Sequence, residues 1–298
     1  MQFYLILPIA TKKTGELDSS IKYYLEFINR EPFSANAWYN LGTVYSIQNK
    51  FEKAIDAYEY AVAINIAYSS AYFNMGNAFA SLEKYEKAID SYEEYLNINP
   101  KDALATYYLG EAYEYLKDLD TALTKYEKVV EIDAYFADAY IGIAEILFKR
   151  EEFEKAIENV NLAIANDEEN SEYWFLLAQM QVKTENKKQI VATYEKSLEL
   201  DGNDEVVWAT YAKYLKDLGK LKSAISVLKR AYDSIDSSSK ICYLLSAYLF
   251  EAKSEKVAYK FLEKAFINNF KKFEKFTDLF NTISEESKFL ELYNKYKN

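Results

Sequence analysis

The sequence predicts an all-α fold, a solenoid of antiparallel helix hairpins, and a 34-residue internal repeat is the main reason. The three tryptophans, Trp38, Trp174 and Trp208, are separated by 136 and 34 residues, and 136 is four times 34. They therefore share one register. Self-similarity at a fixed period of this length is typical of repeat architectures, in which each repeat is one supersecondary unit.

Two further series keep the same period without an insertion. A small residue recurs at Gly42, Gly76, Gly110, Ala144, Ala178, Ala212 and Ser246. An alanine, replaced once by isoleucine, recurs at Ala54, Ala88, Ala122, Ala156, Ile190, Ala224 and Ala258. A large residue follows four positions after each of these, at Tyr58, Tyr92, Tyr126, Val160, Tyr194, Leu228 and Leu262.

The spacing within each repeat predicts two helices. Trp38, Leu41 and Tyr45 follow the 3-and-4 spacing that lines one face of a helix, which predicts the first helix of the hairpin. A short polar turn follows, and the alanine series begins the second helix. The glycine series is expected to let the second helix approach closely, and the tryptophans and the Tyr58 series are expected to be packing residues.

The first complete repeat resembles the tetratricopeptide pattern W-x2-L-G-x2-Y…A-x3-F, with Trp38, Leu41, Gly42, Tyr45, Ala54 and Tyr58 in the matching places. Pro100 stands where the closing proline of that family falls. The chain is therefore identified as a member of the tetratricopeptide repeat family, of the bacterial, multi-repeat type. The resemblance implies that the solenoid is a right-handed superhelix.

Seven units are predicted, at residues 35–68, 69–102, 103–136, 137–170, 171–204, 205–238 and 239–272. Residues 1–34 are expected to be a partial, irregular repeat, with Tyr24 and Phe27 in its large positions and Pro8 in its first helix. Residues 1–13 are expected to be either an irregular cap or a first helix that is truncated from a longer protein. The sequence slightly favours the second alternative. Two capping helices are expected within the last segment, 273–298, over residues 272–280 and 285–297.

The composition of the chain disfavours some classes of binding partner. The 47 acidic residues outnumber the 36 basic residues, for a net charge of −11, so phosphate backbones and anionic membrane surfaces are disfavoured as partners. The apolar stretch 3–10 is too short to span a bilayer and lacks the features of a secretory signal, so a cytoplasmic location is predicted. We expect no nucleic acid partner and no membrane partner.

The sequence also predicts that the chain is not an enzyme. It contains no histidine, the commonest general base and metal ligand, and no glycine-rich phosphate loop. Cys242 falls in the register of Trp38, so it is interpreted as a core residue rather than a reactive thiol. No catalytic residue, no cofactor and no metal site is predicted.

The candidate binding residues follow from the family resemblance, which implies that unit positions 2, 5, 6, 9, 12 and 13 of the first helices line a concave groove. We select from the first four units Tyr39, Asn40, Phe73, Asn74, Asn77, Tyr107, Tyr108, Glu111 and Glu145. Asn40 and Asn74 share position 6, where an amide can pair with a peptide backbone. This ladder has two rungs only, because later units carry other residues there, Gly142 among them.

The groove residues predict the kind of partner. Aromatic surface with negative charge in the third and fourth units favours a protein or peptide that is neutral to basic. Lys183, Lys213, Lys216 and Lys240 occupy corresponding positions farther along, so the groove is expected to become basic toward the C terminus. Self-association through the terminal faces is a further hypothesis.

Two functions remain open from the sequence. The leading hypothesis is a non-enzymatic scaffold that binds a peptide or protein segment in the groove of the solenoid. The alternative is a substrate-recruiting arm of a larger enzyme or of a multi-component assembly. Both follow from the repeat architecture, which by itself does not specify a partner.

Overall fold

The computed structural model describes residues 14–184 and 189–297. Within these ranges the chain forms sixteen α-helices and two 3₁₀ helices and no strand, which confirms the predicted all-α class. The chain divides into two compact bodies, Met1–Arg150 and Glu151–Asn298. No helix in the described ranges is both long and apolar enough to cross a membrane.

The first body contains eight of the described helices. Their bounds are α1 Thr14–Arg30, α2 Ala35–Ile47, α3 Phe51–Ile64, α4 Ser69–Ser81, α5 Tyr85–Ile98, α6 Ala103–Tyr115, α7 Leu119–Ile132 and α8 Ala137–Lys149. The helices α2 and α3, α4 and α5, and α6 and α7 pack as pairs. We call α2, α4, α6 and α8 first helices, because each begins 34 residues after the one before.

The second body contains the remaining helices. Their bounds are α9 Phe153–Asn166, α10 Ser171–Gln181, α11 Ile190–Leu200, α12 Glu205–Asp217, α13 Leu221–Ser234, α14 Ser239–Glu251, α15 Glu255–Asn269 and α16 Ser287–Lys297. The 3₁₀ helices span Phe270–Lys275 and Thr277–Phe280. Here α10 packs with α11, α12 with α13, and α14 with α15.

Local chemistry at the helix ends explains the regular boundaries. Several helices start after a side chain that accepts a hydrogen bond from the first turn, for example Ser34 before α2, Asp102 before α6 and Ser238 before α14. Where the whole turn inside a hairpin is described, the turn places one residue in the left-handed region. That residue is a glycine at Gly219 (φ 73°) but not at Glu83 (φ 57°). The turn conformation is therefore kept where a residue other than glycine occupies it.

The glycine series makes room for the Tyr58 series. A Cβ atom on Gly42 would lie 2.6 Å from the ring of Tyr58, and one on Gly76 would lie 2.6 Å from the ring of Tyr92. Both tyrosines are buried. The close approach expected at these glycines is therefore chiefly that of an aromatic ring, which fills the space that a side chain would need.

The tryptophans form hydrogen bonds as well as the packing contacts that the sequence predicts. Trp38 and Trp174 are half-buried, and only Trp208 is fully enclosed. In each case the indole N–H donates to a carbonyl six residues earlier, in the loop before the first helix, at 2.9 Å for Trp38, 2.9 Å for Trp174 and 2.8 Å for Trp208. The recurring tryptophan therefore also anchors the loop that precedes each of these helices, because its indole N–H is a hydrogen-bond donor that needs an acceptor.

The two ends require corrections. In α1 the buried residues are Leu17 and Ile28, while Phe27, expected in a large packing position, is exposed. Residues 1–13, including Pro8, lie outside the described residues. The helix expected over residues 272–280 is two 3₁₀ segments, which direct both Phe273 and Phe280 inward with their ring centroids 5.6 Å apart. The last predicted helix is present as α16.

Candidate protein-binding groove

The first helices of the first body bring their side chains together on one face, which we call the first-helix face. The amide nitrogen of Asn74 on α4 donates to the hydroxyl of Tyr39 on α2 at 3.1 Å. The ring of Phe73 on α4 lies 5.9 Å from that of Tyr108 on α6. Aromatic and amide groups of successive first helices are thus in direct contact.

The predicted asparagines are partly engaged by tyrosines. Asn74 is bonded to Tyr39, and the amide oxygen of Asn77 accepts from the hydroxyl of Tyr92 at 2.7 Å. Asn40 is half-buried on α2. An amide has two donor hydrogens and an acceptor oxygen, so each engaged asparagine retains some capacity for a ligand. Their first role is to fix the orientation of the neighbouring tyrosines.

A cavity of about 290 Å³ lies on this face between α6 and α8, and we call it the acidic cavity. It contains three of the predicted binding residues, Tyr107, Glu111 and Glu145. The complete lining is Tyr107, Glu111, Glu114, Tyr115, Lys117, Tyr126, Asp138, Ile141, Gly142 and Glu145. Carboxylates of two successive first helices therefore face one volume.

A second cavity of about 330 Å³ shares Glu111 and Tyr115 with the first. Its lining includes the predicted residues Asn77 and Tyr108, together with Tyr85 and Tyr92. The rings of Tyr85 and Tyr115 are stacked, with centroids 4.5 Å apart and planes at 4°. The two cavities adjoin, whereas Tyr39, Asn40, Phe73 and Asn74 line neither of them.

Gly142 opens the floor of the acidic cavity. It occupies position 6 of its unit, where earlier units carry asparagine or tyrosine, and a Cβ atom there would lie 2.6 Å from the ring of Tyr126. The same ring lies 2.9 Å from a Cβ atom placed on Gly110. Tyr126 therefore occupies a slot between two glycines, and its hydroxyl reaches the carboxylates.

Hydrogen bonds order the carboxylates. The Tyr126 hydroxyl donates to Oε2 of Glu114 at 3.0 Å, and the Tyr107 hydroxyl donates to Oε1 of Glu111 at 3.3 Å. Lys149 forms an ion pair with Glu114, with Nζ 2.7 Å from Oε1. One cation of the chain itself thus already lies against this set of carboxylates.

Neither Tyr126 nor Lys149 belongs to the predicted binding set. The sequence predicts that Tyr126 is a packing residue, because it belongs to the Tyr58 series. The sequence signal for Lys149 was present, since it occupies position 13 of its unit, one of the groove positions. No sequence signal indicated that the hydroxyl end of Tyr126 reaches a groove carboxylate.

The cavity shifts the pKa values of its acids. Burial raises the pKa of Glu111, and the nearby charges of Glu114 and Asp138 add to that effect. Burial also raises the pKa of Glu145, with Glu114 contributing. The phenol pKa values of Tyr107 and Tyr126 are raised by burial and by the same carboxylates. Each of these shifts shows that further negative charge is unfavourable in this cavity.

The lysines of the expected basic groove and Cys242 lie in the second body. In the second body Lys213 pairs with Asp217, Lys216 with Glu251, and Lys240 lies 3.9 Å from Glu205. Three of the four lysines expected to make a basic groove therefore have carboxylate partners. Cys242 is fully buried, and burial raises the pKa of its thiol to about 11. In the described ranges no group of three or more histidine, cysteine, aspartate or glutamate side chains is arranged so that it could hold a metal ion.

Comparison with solved structures places the fold among repeat proteins. The C-terminal part of a TPR repeat-containing protein from Cytophaga hutchinsonii is 16% identical, with a TM-score of 0.65 over 85% of this chain and 98% of that chain. YrrB, described as a TPR protein with an unusual peptide-binding site, is 20% identical, with a TM-score of 0.54 over 65% of this chain and 100% of its own. MamA of Desulfovibrio magneticus, from residue 41 to its end, is 24% identical, with a TM-score of 0.53 over 57% of this chain and 97% of that chain.

Sequence comparison identifies the family. No curated protein matches the chain in sequence. Three models described as tetratricopeptide repeat match residues 35–65 and 69–102, residues 115–180, and residues 171–204. Together these matches cover more than half of the 298 residues. The repeat period, the paired helices and these matches agree, and the chain belongs to the tetratricopeptide repeat family.

Proposed function

We propose that this protein is a non-enzymatic interaction scaffold that binds a peptide or protein segment along the first-helix face of its first body. The segment carries a lysine or arginine side chain that enters the acidic cavity. The observation that carries the proposal is the meeting of Glu111, Glu114, Asp138 and Glu145 in one cavity with Tyr107 and Tyr126.

The electrostatics favour a cationic guest. Glu111 and Glu145 have raised pKa values because burial and neighbouring charges destabilise their ionised forms. A bound ammonium or guanidinium group would stabilise those ionised forms. The pair between Lys149 and Glu114 supports this, since it shows the geometry of an ammonium group at the edge of the same cavity. Tyrosine rings add surface on which a cation or an apolar stem can pack.

The comparisons support a binding role in general terms. The tetratricopeptide family consists mainly of scaffolds without catalytic activity, and YrrB is described as having a peptide-binding site. The adjoining second cavity, which contains Asn77 and Tyr108, would receive the next residues of a bound segment. The retained amide capacity of Asn74 and Asn77 suits hydrogen bonding to a peptide backbone.

The test compares two charge-matched double variants. Glu111→Gln with Glu145→Gln removes two cavity carboxylates, and Glu59→Gln with Glu127→Gln removes two exposed ones from second helices. The probes are fluorescent peptides with one lysine or arginine in an otherwise neutral sequence, and binding is measured by anisotropy at several salt concentrations. We expect the cavity variant to bind at least tenfold more weakly and the matched control to bind like wild type.

Glutamine nearly preserves the shape of glutamate, so loss of binding in the cavity variant is not expected to reflect unfolding. Circular dichroism of both variants checks this point. Equal binding by wild type and the cavity variant, with the same salt dependence, would contradict the proposal. Affinity capture from native cells with the same three proteins then identifies partners whose recovery depends on the cavity.

A further inference from the structure

The second cavity differs from the acidic cavity because four tyrosines line it. The rings of Tyr85 and Tyr115 are stacked, with centroids 4.5 Å apart. Those of Tyr92 and Tyr108 have centroids 6.1 Å apart and planes at 21°. Tyr115 is 62% exposed, so a ligand can reach its ring from solvent. The volume of about 330 Å³ lies in the range of ligand pockets, roughly 300–1,000 Å³, so the cavity has room for one side chain of a bound segment.

The second cavity also has a charge. Among the described residues that line it, Glu111 is the one that carries a charge, and Glu111 also lines the acidic cavity. Its Oε1 accepts a hydrogen bond from the Tyr107 hydroxyl at 3.3 Å. A carboxylate has about four sites that accept hydrogen bonds, so Glu111 retains capacity for a donor from a guest. An apolar guest would cover this carboxylate without supplying a donor, which is unfavourable, so the second cavity favours a cationic guest.

A similar set of groups in the second body holds an arginine of the chain itself. Glu195 accepts hydrogen bonds from the Tyr211 hydroxyl and from both terminal nitrogens of Arg230. The guanidinium group lies 5.1 Å from the ring centroid of Trp208. Glu111 likewise accepts from a tyrosine hydroxyl and shares a cavity with aromatic rings, but no arginine is present among the described residues that line that cavity. A planar guanidinium group stacks on rings and pairs with a carboxylate through two hydrogen bonds, whereas an ammonium group is compact and strongly hydrated.

We propose that the second cavity binds the guanidinium group of an arginine in the bound segment, against the tyrosine rings and the carboxylate of Glu111. This inference rests on the proposed function, because it adds a second cation to the segment whose lysine or arginine enters the acidic cavity. The two cavities lie in successive units and share Glu111 and Tyr115. Packed helices lie about 8–10 Å apart, and an extended chain advances about 3.3 Å per residue. The arginine therefore stands two or three residues from the other cation.

Fluorescent peptides test the chemistry of the second cavity by anisotropy. Each peptide has a neutral background and one lysine, and arginine, lysine, phenylalanine or glutamine is placed two or three residues away on either side. We expect the best arginine peptide to bind wild type roughly threefold or more tightly than the other three peptides of the same spacing, because the guanidinium group both stacks and pairs. Equal or tighter binding of the phenylalanine peptide would overturn the inference and assign the cavity to an apolar side chain. Equal binding of the lysine or the glutamine peptide would overturn it as well.

The variant Tyr85→Leu tests the site, because Tyr85 lines the second cavity and not the acidic cavity. Leucine occupies the same repeat position at Leu119 and Leu221, so the replacement keeps an apolar side chain that the fold accepts there. Phe51→Leu is the matched control, since it makes the same kind of change one repeat earlier at a residue in neither lining. We expect Tyr85→Leu to weaken binding of the arginine peptide by about threefold and to leave the glutamine peptide unchanged. Phe51→Leu should change neither, and circular dichroism checks the fold of both variants.

The failure of this inference and that of the proposed function look different. The glutamine peptide carries only its lysine, so it reports on the acidic cavity. If this peptide binds wild type and the variant Glu111→Gln with Glu145→Gln equally, the proposed function fails. If it responds to that variant, but Tyr85→Leu binds the arginine peptide as tightly as wild type does, the inference about the second cavity alone is overturned.

Discussion

At the scale of single residues, the glycines determine where aromatic rings can enter. The ring of Tyr126 lies between Gly110 and Gly142, and a Cβ atom on either residue would approach that ring to 2.9 Å or 2.6 Å. Glycine lowers the intrinsic stability of a helix relative to alanine by about 1 kcal/mol. Glycine is nevertheless suited to these two sites, because the space left by the missing side chains is filled by the ring of Tyr126, whose hydroxyl contacts Glu114.

We expect Gly142→Ala to destabilise the protein by about 1–3 kcal/mol, because an overpacked core forces the Tyr126 ring to move and this outweighs the gain in helix propensity. Chemical denaturation followed by circular dichroism measures the change. Gly15→Ala is the matched control, since it adds the same methyl group to a helix where no atom lies within 4 Å. If both substitutions stabilise the protein equally, the slot is not tightly packed.

The carboxylates of the acidic cavity should make stability depend on pH. Glu111 and Glu145 have folded-state pKa values raised above their ordinary values by burial and by neighbouring acids. Protonation is therefore more favourable in the folded state than in the unfolded state. The contribution of these two groups to stability is present below the unfolded pKa and is lost as pH rises through the folded pKa.

The prediction is that Glu111→Gln with Glu145→Gln raises the melting temperature at neutral pH and changes it little at pH about 3, which lies below the ordinary pKa of glutamate. Thermal melts of wild type and variant across this range supply the measurement, with Glu59→Gln and Glu127→Gln as the exposed control. A stabilisation that is equal at both pH values would show that repulsion in the cavity is not its source.

At the scale of elements, a polar cluster joins successive hairpins of the second body. Arg230 on α13 donates to both carboxylate oxygens of Glu195 on α11, each at 2.8 Å. Its guanidinium group lies 5.1 Å from the ring centroid of Trp208 on α12, and Tyr211 donates to the same carboxylate at 3.0 Å. The Arg230 side chain holds the pKa of Glu195 below its ordinary value.

Replacement of Arg230 by lysine is expected to destabilise the protein by about 0.5–1 kcal/mol, because an ammonium group cannot make the paired hydrogen bonds or stack in the same way. The loss should shrink as pH falls through the folded pKa of Glu195, since the depressed pKa stabilises the fold only above that range. Urea denaturation at two pH values measures both effects. Lys229→Arg, at the neighbouring exposed site, is the control and should leave stability unchanged.

At the scale of the whole molecule, the repeat organisation makes stability local. Each hairpin packs mainly on its neighbours in sequence, so stability approximates a sum of unit terms and nearest-neighbour terms. Within each compact body, the helices contact mainly their neighbours in sequence. A defect in one hairpin should therefore loosen the elements beside it before it affects distant ones.

Leu262→Ala tests this locality, because Leu262 is fully buried in α15. A cavity of this kind typically costs about 2–5 kcal/mol. We expect faster amide exchange in α14, α15 and α16, with exchange in α2 to α5 close to the wild-type rate, measured by mass spectrometry. Uniformly faster exchange over the described helices would instead indicate that the chain unfolds as one cooperative unit.

The sequence predicted much of the fold and only part of the candidate site. Helix starts at Ala35, Ser69 and Ala103 follow from the repeat period, because a period and a 3-and-4 spacing together specify which positions face inward. Tyr107, Glu111 and Glu145, three of the predicted groove residues, line one cavity. The contact of the Tyr126 hydroxyl with Glu114 could not be predicted in the same way, because it depends on the absence of side chains at Gly110 and Gly142.

By itself, the sequence determined the family and the paired helices, since both follow from one-dimensional periodicity, and the resemblance to the family supplied the expectation of which helix face forms the groove. Only the tertiary structure decided that the groove amides hold tyrosines, that two tryptophans are half-buried loop anchors, and that Gly142 opens a floor to the Tyr126 hydroxyl. The physical reason is that these contacts join side chains of different helices. The geometry of these contacts depends on the size of every neighbouring side chain. The position of a single residue in the repeat does not specify those sizes.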